Sequence, residues 1–105
     1  MSKQVVLTDR AARDLEEAYL WIAKQAPQTA ARWYNGFLDA LNTLSSYPER
    51  CPLAAESRRS QEEIRQFLYG KRRSYRALFT IRDRAVVVLH IRHTARRDAS
   101  PEELL

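Results

Sequence analysis

The sequence has little of what several chemistries require. Cys51 is its only cysteine, so it carries no internal disulfide framework and cannot by itself build a thiolate metal site. A small, semi-buried filler is its expected role. Gly36 and Gly70 are the only glycines, which excludes a glycine-rich loop that cradles phosphates. The two histidines, His90 and His93, are three apart in a strand-like stretch. Such residues point to opposite faces and make a poor metal pair, so no metal and no cofactor is expected. No apolar run approaches the roughly 20 residues that span a bilayer. No basic amphipathic helix stands out either, so no membrane partner is expected. The start, Met1-Ser2-Lys3-Gln4-Val5, lacks a signal-peptide core, and a cytoplasmic location is the expectation. Ser45, Ser46 and Ser57 have no histidine–aspartate setting, which leaves a serine hydrolase little support. Internal repeats and low-complexity segments are absent as well.

What the chain does have is positive charge in one place. Its formal net charge is +5 over 105 residues. Residues 64–97 hold ten Lys/Arg (Arg65, Lys71, Arg72, Arg73, Arg76, Arg82, Arg84, Arg92, Arg96, Arg97) against one acid, Asp83, a net of +9. A pI of 9.8 fits an anionic partner, either nucleic acid or an acidic protein. The length suits one domain over 1–105. With 45% hydrophobic residues a modest core is available, although a chain of this size can still lean on a partner for stability.

The pattern along the chain predicts a β-α-α-β-β-β order. Gln4–Leu7 is a short strand candidate, and Thr8 or Asp9 can cap the helix after it. Ala11, Leu15, Ala18, Tyr19 and Ile22 recur at helical spacing over 9–25, with Asp14, Glu17 and Lys24 expected on the other side. Pro27 suits the first position of a second helix running to about 45. The buried stripe of that helix reads Ala30, Tyr34, Phe37, Leu38, Leu41, Leu44. The short connection favours an antiparallel helix pair. Pro48 and Pro52 end the helical region, and 52–62 reads as a polar crossing loop. Strands are expected over 64–69, 75–81 and 85–92, the last two joined as a hairpin through Arg82-Asp83-Arg84. Ser100-Pro101-Glu102-Glu103 resembles a capping box with only Leu104 and Leu105 behind it, so a single turn is expected there. The expected fold class is α+β, with two antiparallel helices on one face of a mainly antiparallel four-stranded sheet. On the other face Arg76, His90 and Arg92 are expected, with Leu78, Val86 and Val88 between them: a basic rim on an apolar floor.

This cluster admits three readings: a solvated basic face, a surface for an acidic protein or for phosphates, and a catalytic site. Phosphodiester cleavage needs a base, an acid and cations for the developing charge. Histidine can serve as the first two and arginine as the third. His90 also reads as a half-buried structural histidine held by a backbone hydrogen bond, and His93 as exposed at the strand exit. Glu16-Glu17 and Glu62-Glu63 read as solvated carboxylates. Trp21 and Trp33 lie off the main apolar stripes, lining either the seam between the helices or a partner surface.

Several segments, taken in order, resemble the RelE/ParE superfamily of bacterial toxins from type II toxin–antitoxin pairs. They are Val6-Leu7-Thr8 leading into Ala12, Asp14, Leu15, Tyr19, Ile22 and Ala23; Ala26-Pro27-Gln28-Thr29-Ala30-Ala31-Arg32; and Leu44 with Tyr47-Pro48-Glu49-Arg50. Tyr75-Arg76-Ala77-Leu78-Phe79-Thr80-Ile81 and Val88-Leu89-His90-Ile91-Arg92-His93-Thr94-Ala95-Arg96-Arg97-Asp98 complete the set. The resemblance covers almost the whole chain. It implies a toxin neutralised by a cognate antitoxin whose C-terminal segment wraps the groove and the basic sheet surface, and an association with plasmid stabilisation. ParE-like members inhibit DNA gyrase; RelE-like members cleave mRNA in the ribosome.

In the nuclease branch the resemblance places Arg76 at the catalytic arginine of the central strand and Arg96 near a second functional arginine, with His90 and His93 as proton carriers. In either branch Arg73, Arg76, Leu78, His90, Arg92, Arg96 and Arg97 become candidates for target or antitoxin binding. After Arg97 no tyrosine or histidine is found, and 54–61 offers Arg58 and Arg59 but no lysine pair. The exit His-Thr-Ala-Arg-Arg-Asp is closer to the ParE branch, so gyrase inhibition without chemistry is the leading expectation. A metal-independent endoribonuclease and a degenerate, antitoxin-binding member stay open.

Overall fold

The structure is a computed structural model and describes residues 3–94. Strand β1 (Gln4–Leu7) leads into helices α1 (Asp9–Ala23) and α2 (Pro27–Asn42). Strands β2 (Arg65–Tyr69), β3 (Tyr75–Arg82) and β4 (Ala85–His93) come after them. The sheet order is β1-β4-β3-β2. β2, β3 and β4 are antiparallel, and β1 lies parallel to β4. The fold is therefore the expected α+β one, and its single parallel pair joins the first and last strands.

Local chemistry explains the element ends. Thr8 has extended backbone and its Oγ1 accepts the Ala11 N–H at 3.1 Å, closing the start of α1. Pro27 opens α2, where its missing N–H costs nothing. Past Asn42 the chain tightens into a 3-10 turn, Thr43–Ser45. There Arg50 donates to the carbonyls of Ser46 at 2.8 Å and Tyr47 at 3.3 Å, and to the Thr43 hydroxyl at 3.1 Å. The β3–β4 hairpin needs only Asp83 and Arg84 between the paired Arg82 and Ala85. Asp83 takes φ 50°, a left-handed conformation that aspartate tolerates.

Ala11 and Leu15 of α1 and Phe37 and Leu41 of α2 pack with Ala77, Phe79, Val86, Val88 and Ile91 of the sheet. Cys51 joins this core, and burial pushes its thiol up. A second, smaller cluster of Ala54, Ile64, Leu78 and Leu89, with Val87 against it, occupies the opposite face. The stretch expected to be a plain polar loop forms a 3-10 turn, Ala55–Arg59, and buries Ala54 and Glu56. It is tied down at both ends, by Ala54 N–H to Ile64 O at 2.8 Å and Ile64 N–H to Ser57 Oγ at 2.9 Å.

One irregularity decides where the β4 side chains go. Counting out from the turn, Phe79 pairs with Val88, but Leu78 pairs with His90. Leu89 is the extra residue, a β-bulge. Val86 and Val88 thus belong to the helix-side core, which corrects the expectation that they share a face with Arg76, His90 and Arg92. Strict alternation fails because the bulge inverts the parity of β4 beyond it.

Candidate functional site

Arg76, on β3 of the β3–β4 hairpin, is 7% exposed and lies directly across from Arg92. Two cations side by side need compensation. Glu56, fully buried, supplies it: Arg76 Nη1 donates to Glu56 Oε1 at 3.0 Å and Nη2 to Oε2 at 2.5 Å. Arg76 Nη1 also reaches Gln66 Oε1 at 3.4 Å. This fork-to-fork geometry is the strong form of an arginine–carboxylate pair. It ties the 3-10 turn of the crossing segment to the middle of the sheet.

His90 sits at the bulge, buried, and its Nδ1 meets Asp14 Oδ2 of α1. Here β1 has run out, since it covers β4 only from Ala85 to Val88. The edge beyond is completed by side chains. Asp14 Oδ2 also accepts the Ile91 N–H at 3.0 Å, Asp14 Oδ1 accepts Arg10 Nε at 3.2 Å, and Thr8 Oγ1 donates to Leu89 O at 3.1 Å. Burial alone would raise the Asp14 carboxyl. The hydrogen bonds from His90, the Ile91 N–H and Arg10 outweigh it and hold the group below its ordinary value. The structural reading of His90 thus gains a carboxylate partner where a backbone group was expected.

His93 is half-buried at the strand exit, its ring edge-on to Tyr75 at 5.2 Å between centroids. Tyr75 in turn meets Trp33, which packs on Phe37 and Tyr69. Trp33 therefore lines the space between α2 and the sheet. Trp21 is 62% exposed. Arg73 lies on the exposed turn Lys71–Arg73, with Arg72 and Arg73 both at positive φ. Arg96 and Arg97, and the capping-box turn expected at 100–103, lie outside the described residues.

The structure brings Arg76 beside Arg92 and Leu78 beside His90, with Arg73 leading into the same strand. It turns His90 towards α1 instead of leaving it on an open basic rim. The sequence reading missed Asp14 and Glu56. Asp14 was legible in part: it stands three residues after Ala11 and four before Ala18, on the margin of the apolar stripe. Glu56 left no such trace, because its stretch has no periodicity.

The overall fold recurs in solved structures from toxin–antitoxin systems. A chain of the chromosomal ParDE TA system from P. aeruginosa superposes with a TM-score of 0.71 at 17% identity, covering 88% of this chain and 96% of that one. That likeness is one of fold. A chain of the toxin–antitoxin complex RelBE2 from Mycobacterium tuberculosis is 27% identical, with a TM-score of 0.54, covering 91% of this chain and 95% of that one. No curated protein sequence matches the chain. Fold and sequence together define a toxin of the RelE/ParE superfamily. More narrowly, residues 5–98 match the model described as the ParE toxin of the type II toxin–antitoxin system, parDE, and the chain belongs to that family.

Proposed function

We propose that this toxin acts by binding and inhibiting DNA gyrase, with no chemistry of its own, and that a cognate antitoxin neutralises it. The observation that carries this reading is the buried Glu56–Arg76 pair. The arginine that would steady a phosphate in a nuclease has its fork occupied by a carboxylate of the same chain. Among the described residues, His90 likewise has its Nδ1 on Asp14. An antitoxin partner is supported by the two similar structures, both of toxin–antitoxin systems. A disordered, amphipathic antitoxin segment would suit the basic sheet end.

A second reading, ribosome-dependent cleavage of mRNA, draws on the Arg76–Arg92 adjacency. Two neighbouring cations suit a developing phosphorane charge. Expression in a bacterium without the antitoxin separates the readings. Gyrase inhibition gives filamentation, DNA-damage signalling and loss of supercoiling by purified gyrase in vitro. A nuclease stops translation and leaves cleaved messages. A degenerate member leaves growth normal. Arg76→Ala should leave toxicity in place under the gyrase reading and abolish it under the nuclease one. The Glu56→Leu/Arg76→Met double variant controls for the carboxylate left unpaired.

A further inference from the structure

An acidic and aromatic cleft opens on the flank of this otherwise basic molecule. It lies between α1 and the end of the sheet, with a volume of about 490 Å³, and Asp14, Glu17, Trp21, Tyr75 and His93 line it. Glu17 and Trp21 are one helical turn apart and project from the same side of α1. Both are exposed. Tyr75 is held between Trp33 at 5.1 Å and His93 at 5.2 Å, so that wall is organised in advance of any ligand. Asp14 forms the floor. Its oxygens are engaged by Arg10, His90 and the Ile91 N–H, which leaves Glu17 as the carboxylate that faces a newcomer.

We infer that this cleft receives one arginine side chain from the toxin-binding segment of the antitoxin. The inference rests on the toxin reading above and deepens it. A planar, weakly hydrated guanidinium stacks on indole and phenol rings and pairs with a carboxylate at its edge. Glu17 at its rim favours a cation over a phosphate. The choice of partner comes from charge complementarity. The basic turn Lys71–Arg73 directly precedes β3, and Tyr75 of β3 lines the cleft. A segment that covers both needs acidic residues for the turn and a cation for the cleft. A disordered tail of mixed charge meets both needs at once. Tryptophan and arginine are also among the residues enriched at energetic hot spots.

The test uses the purified toxin with its cognate antitoxin. Trp21→Ala and Glu17→Gln, both at exposed positions, should each weaken the complex about tenfold in calorimetric titration. Replacing the antitoxin's arginines singly with glutamine should reveal one whose loss is not additive with Glu17→Gln. On the free toxin, acetyl-arginine amide should shift the Trp21 indole resonance and leave that of Trp33 in place. Acetyl-citrulline amide should shift neither.

Unchanged antitoxin affinity in both variants would overturn the inference, and so would an equal response to citrulline. Loss of gyrase binding with intact antitoxin affinity would overturn it too, since the cleft would then serve the target. In each case growth arrest without antitoxin would leave the toxin reading standing. Harmless expression together with a specific arginine response would instead remove that reading and keep the cleft's preference.

Discussion

Asp14 completes the sheet edge that β1 leaves bare, and its carboxylate serves His90, the Ile91 N–H and Arg10 together. Asp14→Ala should cost about 1–3 kcal/mol in urea denaturation, because buried groups lose a charged partner. The sign of the pH dependence is fixed by the same contacts. The native carboxyl titrates below its ordinary 3.8, so the unfolded chain takes up the proton first. The stabilisation is complete above 3.8 and is lost as pH falls through the lower native value. The stability difference between wild type and Asp14→Asn should therefore shrink on acidification through that range. Glu56 carries a larger stake. Glu56→Ala strands the buried Arg76 charge and should cost about 3–5 kcal/mol, whereas replacing both partners by apolar residues should stay near wild type. Denaturation curves for the single and double variants check this.

Among the elements, the bulge at Leu89 is the organising irregularity. Thr8 joins it to α1, accepting the Ala11 N–H and donating to Leu89 O. Thr8→Ala should cost about 1–2 kcal/mol by losing both the cap and that tie, and Thr8→Ser should recover most of it. Gly70 ends β2 at φ 91°, ψ 177°, a region almost closed to residues with a Cβ. A Cβ there would also stand 3.2 Å from Ser74 Oγ. Gly70→Ala should cost about 1–3 kcal/mol by urea denaturation. The helices and strands were legible in the sequence because Ala30, Phe37, Leu41 and Leu44 repeat at helical spacing and Tyr75 to Ile81 alternate. The bulge was not, since Ala85 to Leu89 is apolar at every step and alternation has nothing to reverse against.

Across the molecule, charge is divided. The exposed turn Lys71–Arg73 is basic, and the cleft beside α1 is acidic. If an antitoxin of mixed charge covers both, its association rate should fall as salt rises, while dissociation of its buried contacts changes little. Stopped-flow mixing at low and high ionic strength checks this. The order of elements and the faces of the helices could be read from the chain alone, because they rest on periodicity and capping set within a few residues, and the family could be read from the resemblance of its ordered segments. Which charges stay open became visible only once the chain was folded. The partners concerned lie far apart in sequence, 20 residues for Glu56 and Arg76 and 76 for Asp14 and His90. A one-residue shift in strand pairing determines whether such side chains meet.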